Sequence, residues 1–219
     1  MAATGTALHP RYSTAEELAS SLIHGLGIVL SIAGLAVLAV GATRQGSAWH
    51  IASSAVYGTT LILLYTASTL YHGIPLAAAK PLLRTLDHAA IFLLIAGTYT
   101  PFTLISLRGP WGYALFAAVW TLALLGIGLE LAGVRRRGVM VGLYLAIGWI
   151  GVLAIGPLVG SVPSGGLWLL FLGGVAYTLG VPFYLWRSLP YNHALWHVFV
   201  LAGSVLQFFA VLLYVLPSR

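Results

Sequence analysis

His193 and His197 stand four residues apart, a spacing that puts two imidazoles on one face of a helix, one turn from each other. Histidines so spaced can bind a single metal ion, and a catalytic zinc commonly takes three protein ligands and leaves a fourth position for water. His72 is the candidate third ligand, although it is remote in sequence and only the folding topology could bring it to the pair. Asp87 is the candidate to hold and deprotonate a water at the metal, or to orient a histidine from behind. Ser68 lies four residues before His72 on the same helical face and is placed to hydrogen-bond that water or a substrate oxygen. The glutamate that follows the first histidine in zinc proteases is replaced by Ala194, so a base would have to come from elsewhere. In a membrane helix an HxxxH pair also serves interhelical hydrogen bonding, and the residue types alone leave both readings open.

These residues must be positioned by membrane helices. Of the 219 residues, 60% are hydrophobic and only 6% charged, against about 25% charged in soluble domains. So few charges cannot cover a water-facing surface. There is no cysteine, which excludes disulfides and thiolate metal ligands. The first 18 residues carry Arg11, Glu16 and Glu17 and no apolar run, so no cleavable signal peptide is expected and the first helix acts as its own insertion signal. Stretches near 18–42, 50–72, 84–105, 111–133, 139–158, 167–186 and 193–216 are each long and apolar enough to span a bilayer. The expected fold is all-α: one seven-helix transmembrane domain over residues 1–219, with residues 1–17 a short cytoplasmic segment. Pro101, Pro157 and Pro182 are expected to kink or end their helices.

Seven spans place the termini on opposite sides. Arg11, Lys80, Arg84, Arg135, Arg136, Arg137 and Arg187 fall on the N-terminal side, and Arg44, Arg108 and Arg219 on the other. The positive-inside rule then puts the N-terminus inside and the C-terminus outside. The net charge of +6 is read as topological anchoring rather than as a nucleic-acid surface. In this topology His24, His72, Asp87, His88, Glu130, His193 and His197 all fall in the cytoplasmic half, and only His50 lies near the outer face. Ionisable groups at membrane depth are costly and usually functional. His24 and His88 are read as hydrogen-bonded structural residues, Glu17 and Glu130 as partners of interfacial arginines, and Trp49, Trp111, Tyr113, Trp186 and Tyr191 as interface anchors.

At these residues the chain resembles the hemolysin III family, the bacterial branch of the progestin and adipoQ receptor group. The resemblance rests on Glu16-Glu17 with His24-Gly25, on Ser68 to His72, on Leu86-Asp87-His88 running to Phe102, and on His193-Ala194-Leu195-Trp196-His197. It implies seven helices with the N-terminus inside, zinc held at His72, His193 and His197, and a water-holding role for Asp87 with Ser68 in support. One departure is visible: the first-helix motif often carries an asparagine where the nearest match here is Ser20.

The wider superfamily, which includes alkaline ceramidases, suggests metal-dependent hydrolysis of membrane lipid amides or esters. A receptor or regulator of membrane state with a structural zinc is the alternative. A cytolytic pore ranks lowest, because a pore needs polar lining through its full depth and the outer helical halves read as apolar. Membrane lipids are the expected substrate or ligand and the cell membrane the expected location.

Overall fold

A computed structural model describes residues 12–134 and 136–217. Residues 1–11, Arg135 and residues 218–219 lie outside the described residues, so Arg11, Arg135 and Arg219 drop out of any structural account. Seven helices are long and apolar enough to cross a membrane: α1 (Thr14–Gln45), α2 (Ala48–Gly73), α3 (Lys80–Ser106), α4 (Pro110–Leu131), α5 (Arg137–Ser161), α6 (Ser164–Leu185) and α7 (Asn192–Val215). No strand is present among the described residues.

Helix α1 begins before its apolar run because Ser13 and Glu16 form a capping box: the Ser13 side chain accepts from the Glu16 N–H, and the Ser13 N–H donates to Glu16 at 2.8 Å. Residues 14–17, expected to precede the helix, are therefore its first turn. Gly46, at φ 67°, ends α1 in the left-handed region where only glycine is unstrained. Pro101 does not end α3; the helix continues as a π-turn over Phe102–Ser106. Pro157 follows a 3₁₀ stretch, Ile150–Ala154, that interrupts α5, and Pro182 sits in the last turn of α6.

The helices pack in sequence, α1 on α2, α2 on α3, α3 on α4, while α7 packs on both α6 and α1 and closes the ring. Close approach is made possible by glycine. The buried residues of α6 are Gly166, Gly173 and Gly180, seven apart, and they face Tyr214, Gln207 and Trp196 of α7. Gly27 of α1 lies against the ring of Tyr65 on α2. The outer surface is apolar, with Leu22, Val29, Leu125, Leu153 and Trp168 exposed. Polar groups face inward instead, and α2 buries His50, Ser53, Ser54, Tyr57, Thr60, Tyr65, Ser68 and His72.

Two ends of the bundle are chemically distinct. At one end the start of α1, the end of α2 and the starts of α3 and α7 meet around the histidines. At the other, Trp49 and Tyr113 are 6.5 Å apart and the Arg108 guanidinium lies 5.0 Å from the Trp49 ring, an aromatic and basic girdle of the kind found at a membrane interface.

Candidate metal centre

His72 is carried by the last turn of α2, and His193 and His197 by the first two turns of α7. Each offers a ring nitrogen, and these three atoms lie within 4.8 Å of one another. All three side chains are buried. The ring centroids of His72 are 4.9 Å from those of both His193 and His197, and the latter two are 4.5 Å apart.

The hydrogen bonds specify which nitrogens are left to ligate. His72 Nδ1 donates to Glu17 Oε2 at 2.6 Å, which leaves Nε2 buried and without a hydrogen-bond partner. His197 Nδ1 donates to the Ser20 carbonyl at 3.3 Å, which leaves its Nε2. Neither nitrogen of His193 has a partner. Buried imidazole nitrogens without partners cost stability. Such nitrogens of His72 and His193, converging with one of His197, are the arrangement a single metal ion would satisfy, and three neutral imidazoles suit zinc among the common divalent metals.

Glu17 departs from its expected role. Among the described residues it pairs with His72 and with Lys80 Nζ at 3.5 Å rather than with an arginine. A carboxylate behind a ligating histidine fixes the ring and raises its basicity. Its neighbour Glu16 accepts the backbone N–H of Tyr191 at 2.8 Å, two residues before His193. Tyr191 adopts positive φ, 55°, where the connector turns into α7. The first turn of α1 therefore holds both histidine-bearing segments, α2 through Glu17 and α7 through Glu16. The adjacent acidic pair was the available signal, but with α1 expected to begin at residue 18 Glu17 read as a partner of interfacial arginines.

Asp87 and His88 are buried on the third turn of α3. Asp87 lines a cavity of about 550 Å³ together with His24, His88, Tyr184, His193 and His197. The rest of the lining, drawn from α2 through α7, is mostly apolar. Ser68 is fully buried on α2 with its hydroxyl unpartnered, one turn before His72, and does not line that cavity.

His88 is hydrogen-bonded as expected, with Nδ1 donating to the Arg84 carbonyl at 2.8 Å. His24 is not: neither ring nitrogen makes a hydrogen bond. Its ring instead stacks on His197 at 3.6 Å and meets the Tyr65 ring edge-on at 5.0 Å. It packs against the His197 ring rather than hydrogen bonding. Glu130 is buried near the end of α4, and Arg135, its expected partner, lies outside the described residues. Arg137 is not only an interfacial charge, for its guanidinium lies 3.9 Å from the Tyr184 ring centroid with all its nitrogens buried. The departure at Ser20 is harmless to the contact seen here, because position 20 meets His197 through its backbone carbonyl, which any residue supplies.

The family described as Haemolysin-III related matches residues 12–208. Hemolysin-3 of Bacillus cereus is 48% identical over 204 residues, 93% of this chain and 93% of its own length. The Hemolysin-3 homolog of Bacillus subtilis (strain 168) is 45% identical over 204 residues, 93% of this chain and 96% of its own length. More distantly, the human Monocyte to macrophage differentiation factor is 28% identical over 212 residues, 93% of this chain and 86% of its own length. With seven apolar helices and a match over nearly its whole length, the chain is a multi-pass membrane protein that belongs to the haemolysin-III-related family.

Proposed function

We propose that this protein is a zinc-dependent hydrolase of membrane lipid amides or esters, ceramidase-like in its chemistry. The observation that carries the reading is the junction of two features: three converging histidine nitrogens, and an apolar cavity that Asp87, His193 and His197 all line. A purely structural clamp needs the first and not the second.

His72, His193 and His197 hold the metal. Zinc so held supplies a polarised carbonyl and a water acidic enough to lose a proton near neutral pH. Glu17 fixes the His72 ring through Nδ1, and the Ser20 carbonyl fixes His197. Asp87 takes the proton of the attacking water and passes it to the departing amine or alkoxide. Ser68 supports the polar end of the site from α2. The cavity wall takes the acyl chain and excludes bulk water. Val152, Ile155, Trp168 and Phe171 line the cavity and are also exposed on the outer surface of the bundle, which supports entry of a lipid sideways between α5 and α6. The break in α5 at Ile150–Ala154 falls on this wall.

The basic residues around the histidine end favour a cytoplasmic metal centre, with the N-terminus inside and the C-terminus outside, in a cell-membrane protein. The alternative is a receptor or regulator of membrane state in which the metal ties α2 to α7. Release of fatty acid from ceramides and lysolipids by purified protein separates them. The hydrolase reading predicts metal-dependent release that is lost in Asp87→Asn while the metal is retained. Full turnover in Asp87→Asn removes Asp87 from the mechanism, and no turnover with any lipid in metal-loaded wild type favours the receptor.

A further inference from the structure

Helix α5 is not wound evenly along the cavity. It is α-helical over Arg137–Trp149 and again over Ile155–Ser161, and the residues between, Ile150–Ala154, form a 3₁₀ turn. Pro157 supplies a reason. Its nitrogen has no proton for the Leu153 carbonyl and its ring crowds that carbonyl, so unbroken α-winding is disfavoured there. A break in a lipid-embedded helix leaves backbone groups that must be satisfied from elsewhere in the protein. Tyr99 of α3 does this with one hydroxyl, which donates to the Gly148 carbonyl at 2.7 Å and accepts from the Gly151 N–H at 3.0 Å. An evenly wound α5 would pair those two groups internally, with the Val152 N–H and the Ile147 carbonyl. Trp149 Nε1 donates to Thr178 of α6 at 3.0 Å and fixes the inner half of α5. A change of winding in Ile150–Ala154 therefore falls on the outer half.

Helix geometry gives the size of that change. A 3₁₀ residue turns about 120° and rises about 2.0 Å, an α residue about 100° and 1.5 Å. Rewinding the 5 residues of the 3₁₀ turn as α rotates the segment beyond them by about 100° and draws it in by about 2.5 Å. That rotation equals one α residue. Each residue beyond the break takes the direction its predecessor had, displaced about 1 Å along the axis.

Ile155 and Val159 line the cavity while 54% and 60% exposed, so they form its rim on the lipid side. Their successors are Gly156 and Gly160. Neither glycine lines the cavity, and a side chain added at either would meet nothing within 4 Å. The observed winding thus gives no packing reason for glycine at either place. Rewinding brings both glycines to the rim in place of two branched side chains, which widens the opening between α5 and α6.

We propose that α5 is a lateral gate: rewinding Ile150–Ala154 from 3₁₀ to α puts Gly156 and Gly160 on the rim and admits the acyl chain of a bilayer lipid, and Tyr99 is the latch that holds the narrower form. The gate rests on the sideways lipid entry proposed above. It requires no turnover, so failure of the hydrolase chemistry leaves its test intact.

The test uses the full chain in liposomes of phosphatidylcholine that carries a photoactivatable diazirine in one acyl chain, with adducts located by mass spectrometry. Leu94, 4% exposed and lining the cavity, reports acyl chains inside, and Leu125, 60% exposed on α4, reports the outer surface. Leu94 adducts should form in wild type, rise several-fold in Tyr99→Phe and in Pro157→Ala, and fall several-fold in Gly156→Val/Gly160→Val, with Leu125 adducts constant. The double valine variant should melt no lower than wild type, because its side chains enter open space in the observed winding. The chain has no cysteine, so nitroxides at Leu124→Cys and Ser161→Cys read the winding by electron–electron resonance, and a second distance should appear in Pro157→Ala. Leu94 adducts absent from wild type, or undiminished in the valine variant, would overturn the gate. A lowered melting temperature in that variant would overturn the role given to the glycines, and a single unchanged distance in Pro157→Ala would overturn the change of winding.

Discussion

Glu17 and Asp87 are both carboxylates at the histidine end, and their surroundings assign them different work. Glu17 is bonded to His72 Nδ1 and to Lys80, on the side of the ring away from the other two histidines' shared point. Asp87 lines the cavity. Glu17→Gln should therefore weaken metal affinity by about 10–100-fold, the usual cost of losing a carboxylate behind a ligand, as read by competition with a fluorescent chelator. Asp87→Asn should leave that affinity near wild type and abolish lipid hydrolysis, so the two variants should separate cleanly in one experiment. The cluster of three histidines was legible because HxxxH spacing is a local helical fact and His72 reaches the same depth by counting spans. The role of Glu17 was not. Its partner is 55 residues away, and charge at a membrane interface is more often matched by arginine.

Among the elements, α1 is the one whose sequence was most deceptive. Its first turn is polar, so hydropathy starts the helix at the apolar run, whereas the Ser13–Glu16 capping box starts it at Thr14. That turn is what presents Glu16 to Tyr191 and Glu17 to His72. Glu16→Ala should remove both the cap and the hold on the α6–α7 connector. Faster cleavage within residues 187–191 by limited proteolysis is the expected result, with unchanged cleavage showing that the connector is held by other contacts. Helix packing gives a second prediction at this scale. A side chain at Gly27 would run into the Tyr65 ring. Gly27→Val should therefore force α1 from α2 at a cost of about 1–3 kcal/mol, seen as a lower melting temperature in detergent. An unchanged melting temperature would mean that Tyr65 can move aside at no cost.

In the whole molecule, the inward placement of polar groups and outward placement of leucine and valine follow from the lipid solvent, and the span count, the helical class and the common depth of the histidines could all be read from hydropathy and spacing. The interior could not. Hydropathy averages over a helix and hides a one-sided row such as the serines and tyrosines of α2, which is why the outer half read as apolar throughout. The histidine cluster joins the two ends of the chain's path, α1 and α2 on one side and α7 on the other. Metal bound only to the folded state should thus stabilise the whole bundle, by about 2.7 kcal/mol at a hundredfold excess over Kd. Chelation should lower the melting temperature of wild type and leave that of His193→Ala/His197→Ala unmoved.

The most direct test is metal analysis of the detergent-purified protein, wild type beside the His193→Ala/His197→Ala variant. About one zinc per chain in wild type, as a three-histidine site would hold, and none in the variant is the predicted result. Wild type that holds no metal even after zinc is supplied, or a variant that holds as much as wild type, would contradict the three-histidine centre on which the account depends.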